Sequence, residues 1–209
     1  TDGLVIAAAP ERGDPRDALV TKDGRRLADL APGARIGTGS ARRAVQLKAL
    51  RPDVECVEIR GNVDTRVRKV DDGEYDAVVV AMAGLERLGL GARASQVFTV
   101  EELVPSPGQG ALAVQVREDD RDACAVARAI DHRATRIATK FERAFLEEMG
   151  AGCKMPVGAH AGCAPSFWWS AMVADESGEI HRESGRGVRI MLALSPRHWW
   201  RLVRHRSRE

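Results

Sequence analysis

The fold class can be predicted from the segment ARIGTGSARR, residues 34–43. Its first four residues have strand character, and they run into a Gly-Thr-Gly-Ser turn. Ser40 can accept a hydrogen bond from the first turn of a helix, so a helix is predicted to follow it. The apolar residues of that helix are compatible with one buried face: Val45, Leu47, Ala49 and Leu50. The stretch therefore predicts a strand, a turn that can face an anion, and a helix N-terminus.

The same pattern recurs after this stretch. A strand is predicted at Val54 to Ile59, a loop at Arg60 to Asp64 and a helix at Thr65 to Asp71. Asp76 to Ala81 is continuously apolar after its first residue, as is typical of a strand buried on both faces of a parallel sheet. Ala18 to Val20 forms another short strand. Strands that alternate with helices indicate an α/β domain with a largely parallel sheet.

A Pro/Gly segment, Pro105 to Gly110, separates this region from a different pattern and is expected to act as a hinge between domains. A strand is predicted at Ala111 to Val116, followed by a broken helical region whose best part is Thr135 to Met149. Phe167 to Ala174 and Glu179 to Glu183 alternate like the strands of a β-hairpin. The last part of the chain therefore predicts a small α+β module.

Composition narrows the class of protein. The chain has 209 residues, enough for two modest cores. Its 32 basic and 30 acidic residues give a net charge of +2, which argues against bulk attraction to nucleic acid or a membrane. No stretch approaches the roughly 20 apolar residues that span a bilayer. The four cysteines lack disulfide-scaffold or zinc spacing, so a reduced, cytoplasmic protein is expected.

Three loops carry arginines that could bind an anion. Arg42 and Arg43 follow the glycine turn, Arg60 and Arg66 flank the next loop, and Arg87 lies in a later turn. Guanidinium forks suit carboxylates and phosphates, although neither a Walker nor a Rossmann spacing is present. The alternative is that the first pair is solvated on an ordinary surface helix, that the loop arginines pair with neighbouring aspartates, and that the last is a solvated helix end.

Cys153 lies in the small-residue run GAGCKMPVG, residues 150–158. A thiol on such a loop can be approached closely, and nearby arginines would lower its pKa. The alternative is a small packing residue. Cys56 is predicted to be a core residue and Cys124 to be inert on a helix. The histidines lack the spacing of metal ligands, so no metal site is predicted.

Six motifs together resemble the porphobilinogen deaminases, also called hydroxymethylbilane synthases. Their order and spacing are specific, and the match runs from the first residues to about Gly187. The motifs are GTGSARR (37–43), RGNVDTR (60–66), DGEYDA (72–77), AGLERLG (83–89), PGQGA (107–111) and GCKMPVG (152–158). The resemblance implies two-lobed α/β domains with mixed sheets, similar to periplasmic binding proteins, and a small α+β C-terminal domain.

The resemblance also implies domain boundaries. Residues 1–14 would be a remnant of domain 1, and residues 15–104 would form domain 2 with an arginine-lined cleft. Residues 105–130 would return to domain 1, and residues 131–209 would form the C-terminal domain with the cofactor cysteine.

The implied activity is the tetrapolymerisation of porphobilinogen to hydroxymethylbilane, with loss of ammonia, in tetrapyrrole (heme) biosynthesis. In this family a cysteine carries a dipyrromethane cofactor through a thioether, and Cys153 matches its position. The resemblance implies a cofactor site and a substrate site. The cofactor residues are Arg42, Arg43, Arg66, Thr38 and Ser40, and the substrate residues are Arg60, Arg87 and Gln109.

This sequence departs from the family pattern at its start. The family's catalytic aspartate lies in a His-Ser-x-Lys-Asp-x-Pro motif, which would precede Leu4 and is absent. The sequence therefore predicts no catalytic aspartate in this chain, which is expected to be an N-terminally truncated fragment without activity alone. Gly39 stands where the family commonly has serine.

The end also departs, because Pro196 interrupts any helix where the family has one and a basic tail follows. A shifted reading frame is one hypothesis for this tail, and an RNA-binding tail is another. Family members are mostly monomers, so a monomer is expected. The rival hypothesis for the whole chain is a non-catalytic anion-binding module of periplasmic-binding-protein-like fold, which would need the arginines but not Cys153.

Overall fold

Three β-sheets organise the part of the chain that the computed structural model describes, residues 3–150, 156–175 and 177–187. The largest sheet contains five strands, in the spatial order β4-β3-β5-β2-β6. These strands are β2 (Asp17–Thr21), β3 (Arg35–Gly37), β4 (Glu55–Val57), β5 (Ala77–Ala81) and β6 (Gln96–Val97).

The five-stranded sheet is mixed. β3 pairs in parallel with both β4 and β5, whereas β2 pairs antiparallel with both β5 and β6. The α/β class with mixed sheets is therefore confirmed. Four strands of this sheet run in the same direction, and β2 runs against them from its position between β5 and β6, which the order of elements along the chain does not reveal.

Each parallel strand leads into a helix. α1 (Ala41–Leu50) follows β3, α2 (Val63–Asp71) follows β4, and α3 (Met82–Arg87) follows β5. Alternate residues of the strands pack against opposite faces of the sheet, as strand geometry requires. Both faces are consequently covered by apolar side chains. One face buries Leu19, Ile36, Leu47, Val79 and Phe98, and the other buries Val20, Val67, Val78, Val80 and Leu85.

A two-stranded antiparallel sheet joins the start of the chain to its middle. It consists of β1 (Leu4–Ala8) and β7 (Val114–Arg117), and α4 (Arg121–Arg128) contacts both strands. β7 begins three residues later than predicted, because its pairing with β1 ends where Ala8 meets Val114.

The small α+β module is confirmed. α5 (Arg133–Glu148) packs on an antiparallel sheet of β8 (Val157–Gly162), β9 (Trp168–Ala174) and β10 (Ile180–Arg186), in the order β10-β9-β8. The shared core contains Phe145, Met149, Ala159, Trp169 and Ala171. Ile137 of α5 is 42 % exposed, whereas the next residue, Ala138, is buried and belongs to this core.

The module is attached to the five-stranded sheet by hydrogen bonds as well as by packing. Arg182 on β10 donates to the backbone oxygens of Glu101 and Glu102 and to the side chain of buried Gln46. Among the described residues, no helix is long and apolar enough to cross a membrane. The domain boundaries that the sequence analysis predicts stay predictions.

Candidate active site

A buried carboxylate lies at the centre of the candidate site. Asp17 is the first residue of β2 and is 0 % exposed. Because β2 pairs antiparallel with β5, with Asp17 opposite Ala81, its first residue lies at the edge where the parallel strands end. That edge is where ligands bind in open α/β sheets. Asp17 is not among the site residues predicted from the sequence.

Two arginines in the first turn of α1 converge on this carboxylate. Arg42 Nη1 donates to Asp17 Oδ2 at 2.8 Å and to the carbonyl oxygen of Val104 at 2.7 Å. Arg43 Nε donates to the other oxygen, Asp17 Oδ1, at 2.9 Å, and its Nη1 donates to Val79 O at 3.1 Å. One carboxylate therefore holds two guanidinium groups, and the alternative that these arginines are solvated is wrong for Arg42, which is only 5 % exposed.

Burial and charge act in opposite directions on this cluster. Burial alone would raise the pKa of the Asp17 carboxyl, but the positive charges of Arg42 and Arg43 hold its pKa below the usual value. Burial and the neighbouring charge of Arg43 lower the pKa of Arg42, although an arginine remains protonated at neutral pH. The site is therefore an ionised carboxylate held by two cations.

Gln109 completes the cluster from the Pro107–Gly110 turn. Its Nε2 donates to Asp17 Oδ1 at 2.9 Å and to Pro15 O at 2.6 Å, and its Oε1 accepts from Arg42 Nη2 at 3.3 Å. The turn lies close to the chain just before β2. A Cβ on Gly110, whose φ is +82°, would be 2.9 Å from the backbone oxygen of Gly13, so the close approach requires glycine.

Arg66 lies near the cluster but has no acidic partner among residues 3–150, 156–175 and 177–187. It is half-buried on α2, and its Nε donates to the backbone oxygen of Gly61 at 2.7 Å. Burial and the positive charge of Arg43 both lower the pKa of Arg66. Two neighbouring arginines, one of them without a carboxylate, form a local excess of positive charge that an anionic ligand would neutralise.

Thr38 and Ser40 shape the turn between β3 and α1. Ser40 Oγ accepts from Arg43 N at 3.4 Å, and Thr38 Oγ1 accepts from Ser40 N at 3.2 Å. The helix cap predicted at Ser40 is therefore confirmed. Thr38 N donates to Val57 O at 2.8 Å, which ties the turn to the end of β4.

Arg60 and Arg87 lie outside the cluster. The Arg60 side chain is 88 % exposed and pairs with Glu58, at 3.1 Å, rather than with the aspartates that the alternative interpretation named. Arg87 is exposed at the end of α3. The structure brings Arg42, Arg43, Arg66, Thr38, Ser40 and Gln109 to one edge of the sheet, and it leaves Arg60 and Arg87 on the surface.

Cys153 lies outside the described residues, as does the basic tail.

A second buried charge cluster lies on α5, the helix that precedes Cys153 in the chain. Glu142 on α5 pairs with Arg12 at 2.6 Å and with His160 at 3.1 Å. The sequence signal for Glu142 was its position between Phe141 and Phe145 on an otherwise apolar face, where a charge requires a partner.

Among the residues that the structure describes, one group could offer metal ligands, at the turn between β9 and β10. Asp175, Glu179 and His181 hold ligand atoms within 4.8 Å of one another. Asp175 Oδ1 already accepts from Ser177 N at 2.9 Å, from Ser177 Oγ at 2.6 Å and from Glu179 N at 2.9 Å. These hydrogen bonds of Asp175 close the turn and explain why the three side chains lie together. No metal is assigned to the group.

Two family models match the sequence. Residues 1–125 match the porphobilinogen deaminase dipyrromethane cofactor binding domain, and residues 137–191 match the porphobilinogen deaminase C-terminal domain.

Curated relatives of similar sequence are named porphobilinogen deaminase. The porphobilinogen deaminase of Roseiflexus sp. (strain RS-1) is 52 % identical over 158 residues, which cover 76 % of this chain and 52 % of the relative. That of Thermobifida fusca (strain YX) is 54 % identical over 162 residues, covering 77 % and 51 %. The chain thus spans about half the length of the curated relatives it matches.

Solved structures show a more distant likeness. A YaeC-family lipoprotein from Enterococcus faecalis matches with a TM-score of 0.42 and 17 % identity, over 68 % of this chain and 67 % of that protein. A TRAP periplasmic solute binding protein from Pseudomonas putida, with bound D-glucuronate, has a TM-score of 0.41 and 15 % identity, over 70 % and 45 %. At these TM-scores the likeness carries no inference about ligands of this chain.

Proposed function

Because this chain belongs to the porphobilinogen deaminase family, we propose that it forms part of an enzyme that joins four porphobilinogen units head to tail into hydroxymethylbilane. Ammonia is released at each addition, and the product enters tetrapyrrole (heme) biosynthesis. The chain covers about half of its relatives, so the proposal concerns a whole enzyme of which these residues supply a part. We expect that enzyme to be a cytoplasmic monomer, with porphobilinogen rather than nucleic acid or a membrane as its partner.

The positive charge of Arg43 and Arg66 is the observation that carries the proposal. Arg43 shares Asp17 with Arg42, and Arg66 has no carboxylate partner in the described part of the chain. Pyrroles that bear acetate and propionate groups present several carboxylates. Guanidinium forks bind such groups through charge-assisted hydrogen bonds, which are about twice as strong as neutral ones. The charge and the donor chemistry of this edge therefore fit a dipyrromethane.

The residues of the cluster have different parts in this proposal. Arg43 and Arg66 hold cofactor carboxylates, and Thr38 and Ser40 orient the turn beside them. Arg42 contributes positive charge without contacting the ligand directly, because its Nη1 already donates to Asp17 and to Val104 O.

The remaining assignments concern the cofactor thiol and the substrate. Cys153 is proposed to carry the dipyrromethane through a thioether, and that group would supply the pyrrole carbon to which the first substrate is added. Arg60 and Arg87 are proposed to bind carboxylates of the incoming porphobilinogen, for which their exposure leaves them accessible. Gln109 is proposed to lie beside the substrate, where its amide is held by Asp17 and Arg42.

Calorimetric titration of the purified chain with a free dipyrromethane that bears acetate and propionate groups tests the assignment of the arginines to the cofactor. Arg66→Gln should weaken binding by at least about tenfold, because a charge-assisted hydrogen bond is worth about 1.5–3 kcal/mol. Arg68→Gln is the matched control on the same helix, since Arg68 is exposed and pairs with Asp64 at 3.6 Å. Equal affinities for the two variants, or no binding by the wild-type chain, would contradict the proposal.

Intact-mass spectrometry tests the covalent step. Protein purified from its native cells should carry an adduct of two pyrrole units, and peptide mapping should locate it at Cys153. Cys153→Ser should remove the adduct. A chain that binds porphobilinogen with the same affinity before and after this substitution, and never carries an adduct, would instead be a non-catalytic anion-binding module.

A further inference from the structure

Glu142 is a charged residue in the core of the C-terminal module. Its side chain is 0 % exposed, and its two oxygens accept from partners on three separate segments. Oε1 accepts from Arg12 Nη1 at 2.6 Å and from Ala161 N at 2.8 Å, and it lies 3.1 Å from His160 Nδ1. Oε2 accepts from Arg12 Nη2 at 3.1 Å and from Gly108 N at 2.6 Å.

Electrostatics keep this carboxylate ionised. Burial would raise the pKa of Glu142, but hydrogen bonds from His160 and Arg12 and the charge of Arg12 bring its pKa below the usual value. An ionised group at this depth is costly unless each oxygen is satisfied. Both oxygens are satisfied here, with one set of donors from β8 and another from outside the module.

The donors from outside the module hold the turn that carries Gln109. Glu142 accepts from Gly108 N, on one side of Gln109, and Arg12 Nε donates to the backbone oxygen of Gln109 at 2.8 Å. The Pro107–Gly108 and Gln109–Gly110 peptide groups are thus both held by the Glu142–Arg12 pair. The Gln109 amide in turn contacts Asp17 and Arg42.

We propose that Glu142 is a positioning residue for the arginine cluster. Through Gly108 and Arg12, Glu142 fixes the turn so that the Gln109 amide bridges Asp17 and Arg42. Asp17 in turn holds the guanidinium groups of Arg42 and Arg43 in place for an anionic ligand. The nature of the ligand rests on the proposed function, whereas the coupling itself does not.

Hydrogen–deuterium exchange of the full 209-residue chain tests the coupling without a ligand. Glu142→Gln should speed exchange in peptides that cover residues 104–111 and also in peptides that cover residues 38–46. Asp131→Asn is the matched control, because Asp131 also links the start of α5 to the β1 segment, through Ala9 N at 3.0 Å and Arg136 at 3.0 Å, but does not contact the turn. It should leave both peptides unchanged.

A change confined to residues 133–162 in Glu142→Gln would overturn the proposal, since it would show a purely local role. Glu142→Asp serves as a second variant if Glu142→Gln does not fold, because it keeps the charge and shortens the side chain by one methylene. Exchange of residues 38–46 in this variant should still be faster than in the wild-type chain. An unchanged exchange rate there, with a loosened turn, would likewise overturn the coupling.

A double-mutant cycle on porphobilinogen affinity tests the route through Gln109. Gln109→Ala and Glu142→Gln should each weaken binding about tenfold, which corresponds to about 1.4 kcal/mol, and the double variant should be no weaker than Gln109→Ala. Additive losses would show that Glu142 does not act through Gln109. If the wild-type chain does not bind porphobilinogen, the proposed function fails, and the exchange experiment still decides the coupling.

Discussion

Replacement of Asp17 by asparagine should destabilise the protein strongly. The substitution keeps the shape of the side chain but removes the negative charge that faces Arg42 and Arg43. Arg42 is 5 % exposed and would remain buried without a counter-charge. Breaking a buried ion pair from one side costs about 3–5 kcal/mol, a large part of the 5–15 kcal/mol that stabilises a typical domain.

Urea denaturation followed by circular dichroism measures this loss. Asp14→Asn is the control, because Asp14 lies in the same segment and pairs with Arg16, whose side chain is 45 % exposed. Such partly exposed pairs contribute about 0–1 kcal/mol, so the control should lose at most about 1 kcal/mol. A loss below about 1 kcal/mol for Asp17→Asn would refute the conclusion that Asp17 organises the cluster.

The pH dependence of the stability difference between wild type and Asp17→Asn supplies an independent check. The pKa of Asp17 in the folded protein lies below the usual value of 3.8, so its contribution is complete above that pH and is lost as the pH falls through the folded pKa. The difference in unfolding free energy between wild type and Asp17→Asn should therefore be constant from about pH 8 to about pH 5 and should shrink below about pH 4. A difference that grows in acid would contradict this assignment.

Three further predictions concern the backbone, the core and the thiols. Gly61→Ala should lower the Tm more than Gly73→Ala: both glycines have positive φ, at +115° and +78°, but only the first has a side chain within 2.8 Å of the added Cβ. Leu47→Ala, at a fully buried site, should lose about 2–5 kcal/mol in urea denaturation, whereas Val126→Ala, at a 75 % exposed position, should lose less than about 0.5 kcal/mol. Burial raises the pKa of the Cys56 thiol, so iodoacetamide should modify it more slowly in the folded than in the urea-unfolded protein, as peptide mapping would show; equal rates would contradict its burial.

The sequence predicted the elements around the candidate site because their signals are local. The helix predicted after Ser40 begins at Ala41, with the serine as its cap. The helix predicted at Thr65, α2, begins at Val63, because Asn62 occupies the cap position. Thr65 Oγ1 donates to the Asn62 side chain at 2.6 Å. Capping and strand periodicity depend on residues a few positions apart, so they can be recognised without the fold.

The partners of the charges could not be predicted in the same way. Asp17 and Arg42 are 25 residues apart, and Glu142 and Arg12 are 130 residues apart. Neither spacing corresponds to a turn of helix or an alternation of strand. The interpretation of Arg42 as a solvated surface residue failed for this reason, since nearby sequence shows an arginine on a helix but not the carboxylate that faces it.

Local sequence patterns were sufficient to predict the α/β class, the small α+β module, and the glycine turn and capped helix that carry Arg42 and Arg43. These follow from apolar periodicity, glycine turns and capping, which act between near neighbours in the chain. Only the tertiary structure decided that β2 runs antiparallel and brings Asp17 to that edge, and that Glu142 joins the C-terminal module to the Gln109 turn. A buried charge can be paired by any opposite charge that folding brings near, and its partner therefore depends on strand order and packing rather than on spacing along the chain.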